Sequence, residues 1–318
     1  MNKVVDLVKK VVDLVDNTKI YSILKATDLS YASQLSNITK NNIYFKREDQ
    51  IPMHSFKLRG AHQKISRLSK EQIAKGIIAS SAGNHAQGVA FSAKKLGINA
   101  TIVMPFSAAQ IKVKSVKSLG ANVILHGSSF AEALEHAKKI EKERDLVFVH
   151  AFDDIEVVSG QATIGKELIE QLPEVDKIFI PVGGGGLISG IASYVKYHKP
   201  KVKIIGVEPE DCSTLYTSLE KKKRLALKEI GSFADGVAVS QIGEDAYEIA
   251  KELVEEVILV NNDEICAAVK YIYEDIRSIS EPSGALSTAG MRKYINQHNI
   301  KNENLVSIIS GSNVNFDL

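Results

Sequence analysis

Short apolar runs alternate with longer helical patterns along most of this chain, and that alternation restricts it to an α/β architecture built on parallel strands. Ile77-Ile78-Ala79 leads into a helical stripe of Val89, Ala90, Ala93 and Leu96, which Gly97 ends. Residues 100–104 read as the next strand, followed by a helix to about Leu119, a stop at Gly120 and a strand over 121–125. Ser129 and Glu132 fit a capping box, opening a helix with Phe130, Leu134, Ala137 and Ile140 facing inward, and residues 146–149 complete the unit. A second set comprises a helix over 162–172, a strand over 177–182, four glycines and a helix to His198. Strands at 202–207 and 257–260, a helix from Asp263 to about Arg277 and a last strand at 305–309 follow. The expected organisation is a large lobe of residues 1–62 and 148–318 and a small lobe of residues 63–147, each an open, parallel-rich sheet flanked by helices.

Composition narrows the class of partner. Of 318 residues, 44% are hydrophobic and 25% charged, the mixture of a globular chain with ample core. Forty basic residues against 38 acidic ones leave a net charge of +2, which gives no footprint for nucleic acid. No stretch reaches the ~18 apolar residues of a membrane span. The segment VVDLV occurs twice near the N-terminus, placing Val4, Leu7, Val8, Val11, Leu14 and Val15 on one stripe. Its charges and the lack of a cleavage site argue against a targeting segment; docking on the body of the chain is expected, with a subunit contact as the alternative. Cys212 and Cys266 have no metal-ligand spacing and are expected to be reduced thiols acting as small apolar residues, in a cytoplasmic protein.

Four segments carry the chemistry: HSFKLRGA (54–61), SSAGNHAQG (80–88), PVGGGGL (181–187) and SGSN (310–313). Gly183, Gly184, Gly185 and Gly186 follow a strand and open a helix, where bare amides and the helix dipole suit a phosphate. Gly184-x-Gly186 with Gly190 and Glu208 loosely mimics a dinucleotide fingerprint, but the third glycine is misplaced by one residue. Lys46, Arg47, Lys57 and Arg59 are open to reading as a surface patch. Lys57, however, lies between Phe56 and Leu58, and apolar neighbours lower an amine's pKa and sharpen it toward an aldehyde. A phosphate cradle, such a lysine and no metal ligands suggest pyridoxal phosphate. Asn84 is either a helix cap or a cofactor ligand, and His85 reads as structural.

These segments, with KRED (46–49), EPSGAL (281–286) and SGSNVNF (310–316), resemble the threonine dehydratases (threonine ammonia-lyases) of the fold type II pyridoxal-phosphate family, over residue 20 to the C-terminus. The resemblance implies a two-lobed fold like the tryptophan synthase β chain and the cofactor pyridoxal 5′-phosphate. It implies that Lys57 carries the cofactor and takes the substrate α-proton, while Gly183 to Gly186 and the Leu187 amide hold the phosphate. Asn84 would bond the ring hydroxyl, Ser310 the pyridine nitrogen, and Phe56 would pack on the ring. Ser81, Ala82, Gly83 and His85 would receive the substrate carboxylate.

The expected activity is deamination of L-threonine to 2-oxobutanoate and ammonia, with L-serine to pyruvate as a side reaction, in isoleucine biosynthesis or threonine catabolism. Serine racemases resemble the chain too, but they place a serine where Ala82 stands. A base on one face alone suits elimination. Serine dehydratase or racemase is the alternative within the fold, and a nucleotide-binding oxidoreductase or non-catalytic binding module the alternative outside it. Glu208 resembles a cation-site residue of some relatives, but Thr214 replaces a second carboxylate, so no metal is expected. The family implies a homodimer or homotetramer. Because the sequence stops at Leu318, soon after SGSNVNF, no isoleucine-sensing regulatory domain is expected.

Overall fold

The computed structural model describes residues 3–314, so Asn315 and Phe316 of the last motif lie outside the described residues. From the N-terminus the elements run α1 (Lys3–Asp16), β1 (Leu29–Tyr31), α2 (Ser33–Thr39), β2 (Asn42–Arg47), α3 (Lys57–Ile65), α4 (Lys70–Lys75), β3 (Ile77–Ser80), α5 (Asn84–Leu96), β4 (Ala100–Met104), α6 (Gln110–Ser118), β5 (Asn122–Leu125), α7 (Phe130–Arg144) and β6 (Val147–Phe148). They continue with α8 (Ile155–Gln171), β7 (Lys177–Pro181), α9 (Gly186–His198), β8 (Lys203–Pro209), α10 (Thr214–Glu220), α11 (Glu244–Leu253), β9 (Glu256–Val260), α12 (Asn262–Ile276), α13 (Pro282–His298) and β10 (Asn304–Ile309).

Two sheets result. The larger has the order β1-β2-β10-β7-β8-β9, and the smaller β5-β4-β3-β6. Among the described strands only the β1–β2 pairing is antiparallel. Helices cover both faces of the large sheet, which is why its strands are apolar throughout instead of alternating. Phe179, Leu305 and Ile309 point into one core with Leu286 and Met291 of α13. Their neighbours Ile178, Ile180, Val306 and Ile308 point into the other, with Ile188 and Ile191 of α9. The period-two pleat thus divides each strand between two cores. A separate cluster of Ile77, Ala79, Val89, Ile102 and Met104 centres the small sheet.

The N-terminal stripe docks on the chain's own body: Val11, Val12 and Val15 pack against Val158, Ala162 and Tyr194. Val12 belongs to the buried face, whereas Leu7, Val8 and Leu14 are half-buried. Two other inward assignments fail. In α7 the stripe packed on Ile78 and Val103 is Ala133, Ala137 and Ile140, which leaves Phe130, in the first turn, exposed. Leu96, in the last turn of α5, is exposed as well. The expected capping box is half-formed. Ser129 Oγ accepts from Glu132 N at 3.3 Å, but the Glu132 carboxylate accepts from Ser128 N instead. Cys212 is buried and Cys266 exposed, both as free thiols.

Among the described residues no helix is long and apolar enough to cross a membrane. The four motif segments converge at the carboxyl ends of parallel strands β2, β3, β7 and β10, the edge at which open α/β sheets bind ligands.

Candidate active site

Helix α3 opens with Lys57, which the turn at residues 52–54 brings back from the end of β2. Phe56 N donates to Ser310 O at 3.2 Å, tying that start to the end of β10. Among the described residues the Lys57 amine has no carboxylate within bonding distance. It donates to Ala151 O at 3.1 Å and stands 5.3 Å from the centroid of the Phe56 ring. Burial lowers its pKa to about 8, against a weaker raising field from Glu281. Near neutral pH such an amine has a far larger unprotonated fraction than an ordinary lysine, and the unprotonated form is the one that attacks a carbonyl.

Phe152, the residue after Ala151, lies against the glycine turn. The Phe152 ring lies so close over Gly184 that a Cβ there would sit 2.2 Å from its Cγ. A Cβ on Gly183 would meet the Val237 backbone at 2.8 Å, and Gly185 has φ +85°, the left-handed region that favours glycine. The glycines are therefore required by packing as well as by access to their amides. Gly185 caps α9 without any side-chain hydrogen bond, and Gly186, Leu187 and Ile188 are buried. A buried helix start without a side-chain cap offers amides to an anion. Gly190, the stray member of the dinucleotide-like pattern, instead packs α9 on α8: a Cβ there would lie 2.5 Å from Val158 O.

Asn84 is the first residue of α5, and the cap is Gly83. The Asn84 amide is used elsewhere: Nδ2 donates to Glu281 Oε1 at 2.8 Å, and Oδ1 accepts from Asn313 Nδ2 at 2.7 Å. Glu281 also accepts from Ser283 Oγ at 3.0 Å and from Asn313 N at 3.1 Å. It joins three motif segments in one network. Burial raises its pKa, aided by Asp235 and opposed by those donors. Ser310 Oγ is buried and has one contact, to Ser283 O at 3.4 Å.

The carboxylate loop is less converged. Ser81 Oγ accepts from Gly83 N at 3.2 Å, Ala82 packs against the core of the small sheet, and a Cβ on Gly83 would meet open space. His85 is buried with Nε2 2.9 Å from Val149 O and Nδ1 without a partner. Burial, with Lys57 nearby, lowers its pKa to about 3, so it is a neutral imidazole. Glu208 spends both carboxylate oxygens on the start of α10, accepting from Thr214 Oγ1, Leu215 N and Tyr216 N. Burial still pushes its pKa up to about 7.

The surface-patch reading is overturned: Lys46 and Arg59 are fully buried and Arg47 nearly so, each paired with a carboxylate. Sequence reasoning passed over two site residues, Glu281 and Phe152. An acid before Pro-Ser at a helix start looks like a favourable dipole partner, and nothing local marks Phe152. These groups fit pyridoxal phosphate: an amine free of any salt bridge, a glycine turn with an open helix start, and a neutral hydroxyl at Ser310.

The chain matches the profile of the family described as pyridoxal-phosphate dependent enzyme over residues 20–311. It is 48% identical over 300 residues to a biosynthetic L-threonine dehydratase of Pasteurella multocida, covering 94% of this chain and 58% of that one. To a mitochondrial threonine dehydratase of Schizosaccharomyces pombe it is 49% identical over 304 residues, covering 94% and 51%. The chain thus spans little more than half the length of these relatives. The structure of the processed form of threonine deaminase isoform 2 from Solanum lycopersicum superposes with a TM-score of 0.96 at 43% identity, covering 98% of this chain and 91% of that one. Maize serine racemase superposes with a TM-score of 0.92 at 32% identity, covering 96% and 94%.

Proposed function

The chain belongs to the pyridoxal-phosphate-dependent enzyme family, and on that premise we propose that it deaminates L-threonine to 2-oxobutanoate and ammonia, with L-serine to pyruvate as a slower reaction. The observation that carries this reading is the Lys57 amine, held without a carboxylate partner between Ala151 O and the Phe56 ring. When bound, pyridoxal 5′-phosphate supplies an aldehyde for amines and a ring that draws electrons from the substrate α-carbon.

The residues divide the remaining work. Gly183 to Gly186 and the Leu187 amide receive the phosphate at the start of α9. Phe56 backs the ring, and Asn84, held by Glu281 and Asn313, aligns its hydroxyl edge. Ser310 meets the ring nitrogen with a neutral hydroxyl, which favours expulsion of a β-hydroxyl over chemistry needing a long-lived carbanion. Ser81, Ala82, Gly83 and the neutral His85 shape the place for the substrate carboxylate. Lys57 takes the α-proton and a proton is returned to the departing β-hydroxyl, which leaves as water; the resulting enamine tautomerises to an imine, which water hydrolyses to the oxo acid and ammonia. Ala82 offers no acid on the opposite face, which supports elimination over racemisation.

We read the small sheet and its helices, over 63–147, as the unit that carries the substrate loop, and the assembly as a homodimer or homotetramer. The test is to incubate the loaded protein with L-threonine or L-serine and assay 2-oxo acid, ammonia and D-amino acid. Equal yields of 2-oxobutanoate and ammonia from threonine are expected. D-serine as the main product from L-serine, with no oxo acid, would favour the racemase reading.

A further inference from the structure

The KRED and KLRGA segments and helix α8 bring together four charges that the catalytic reading leaves unused. Lys46, Glu48, Arg59 and Glu167 are each at most 1% exposed. Arg59 grips Glu48 with Nε and Nη2 at 2.7 and 2.8 Å, and Glu167 with Nη1 and Nη2 at 2.6 and 3.0 Å. Its remaining donor reaches Thr163 Oγ1 at 3.0 Å, so the whole guanidinium is engaged. Lys46 Nζ meets Glu167 Oε2 at 2.6 Å and Thr27 O at 2.8 Å. Two cations and two carboxylates leave the cluster neutral.

Stability alone is a poor reason for it. Desolvating four charges costs more than packing apolar side chains into the same volume, and such replacements are often neutral or stabilising. What ion pairs add is geometry, because a guanidinium fork held on both sides has one orientation. Arg59 follows Lys57 by two residues, so the two side chains leave the helix about 200° apart. The cluster therefore holds the face of α3 opposite the amine, anchoring it to β2 through Lys46, to the turn after β2 through Glu48 and to α8 through Glu167. The backbone is gripped too: a Cβ on Gly160 of α8 would lie 2.6 Å from Arg59 O, and one on Gly88 of α5 would lie 3.1 Å from Leu58 N.

We propose that Arg59, clamped by Glu48 and Glu167, is a positioning residue that fixes the first turn of α3 and so presents the Lys57 amine to the cofactor at one place. It acts through the helix, and the proposal rests on the reading of Lys57 as the cofactor lysine.

Arg59→Lys keeps the charge and loses the fork. It is compared with Ile272→Ala, a buried change in α12 remote from α3 that serves as a stability control. On the loaded enzymes, kcat and KM for threonine are measured, with thermal midpoints and the rate at which hydroxylamine strips the cofactor. In Arg59→Lys, kcat is expected to fall about tenfold or more with KM nearly unchanged, and stripping to accelerate by about tenfold, as about 1 Å of misplacement would cause. Ile272→Ala should move neither, whatever its thermal midpoint. Stripping and turnover in Arg59→Lys that match the control would overturn the proposal and leave the cluster a structural one. Should Arg59→Lys not fold, Glu48→Gln, which keeps the shape and removes one charge, is judged by the same two readings. Cofactor uptake by Lys57→Ala that equals wild type would instead sink the reading of Lys57 on which this rests.

Discussion

Replacing Gly184 by alanine puts a methyl group where the Phe152 ring now lies. The added Cβ would stand 2.2, 2.3 and 2.5 Å from three ring carbons, whereas ordinary contact begins near 3.4 Å. The ring must retreat by about 1 Å, and a packed interior yields that much only at a cost of about 1–3 kcal/mol. The ring cannot retreat alone. The Phe152 backbone lies against Gly186, and the preceding carbonyl, Ala151 O, holds the Lys57 amine. Both the glycine turn and the lysine are therefore disturbed by one methyl. If half of that cost, about 0.5–1.5 kcal/mol, falls on the loaded state, the dissociation constant for pyridoxal 5′-phosphate rises about two- to tenfold, since 1.4 kcal/mol is a factor of ten. Titration of cofactor-free protein, followed by its visible band, measures this. The double variant Gly184→Ala/Phe152→Ala makes room for the methyl and should recover most of the affinity, a coupling of about 0.5–3 kcal/mol between contacting residues. Unchanged affinity in Gly184→Ala, or a double variant no better than the single one, would refute the packing argument.

Other consequences are equally direct. Because Lys57 titrates near pH 8 in the folded protein, against 10.5 unperturbed, cofactor capture by the cofactor-free protein should quicken up to about pH 8 and then level; a rise continuing beyond pH 10 contradicts this. The same shift has a stability sign: between about pH 8 and 10.5 the unfolded chain holds a proton that the folded one has released, so wild type should gain stability with pH relative to Lys57→Met in denaturant melts. Burial holds His62 near pKa 4 and His85 near 3. The unfolded chain gains those protons below about pH 6.5 and the folded one resists them, so stability should fall from pH 7 to 5, and less steeply in His62→Leu. Asn84→Ala leaves the Glu281 carboxylate and the Asn313 amide each one partner short, an expected loss of about 1–3 kcal/mol in unfolding free energy, with weaker cofactor binding; a thermal midpoint equal to wild type would contradict the network.

The parts of the fold that could be read from sequence are those whose signal is local. β4 and β7 are apolar along nearly their whole length because both faces are covered, and their bounds emerge within a residue. β2 was hidden because it carries Lys46 and Arg47, and the carboxylate that neutralises Lys46 is 121 residues away in α8. α13 shows no stripe because it is buried on most sides, and a helix buried all round loses its amphipathic period. The site divides in the same way. The glycine turn and Lys57 announce themselves by composition and neighbours. Phe152 and Glu281 matter only through contacts across the fold: Phe152 with Gly184, Glu281 with Asn84 and Asn313. Asn84 was ambiguous until the structure showed that its amide bonds Glu281 and Asn313 and does not cap its helix.

The central claim is that one lysine, Lys57, carries the cofactor and drives the elimination. Borohydride reduction of the loaded protein, followed by digestion and peptide mass mapping, tests it most directly. A single pyridoxyl group is expected on the peptide containing Lys57, and in Lys57→Ala no such label and no 2-oxobutanoate from threonine. A label on another lysine, or full turnover by Lys57→Ala, would contradict it.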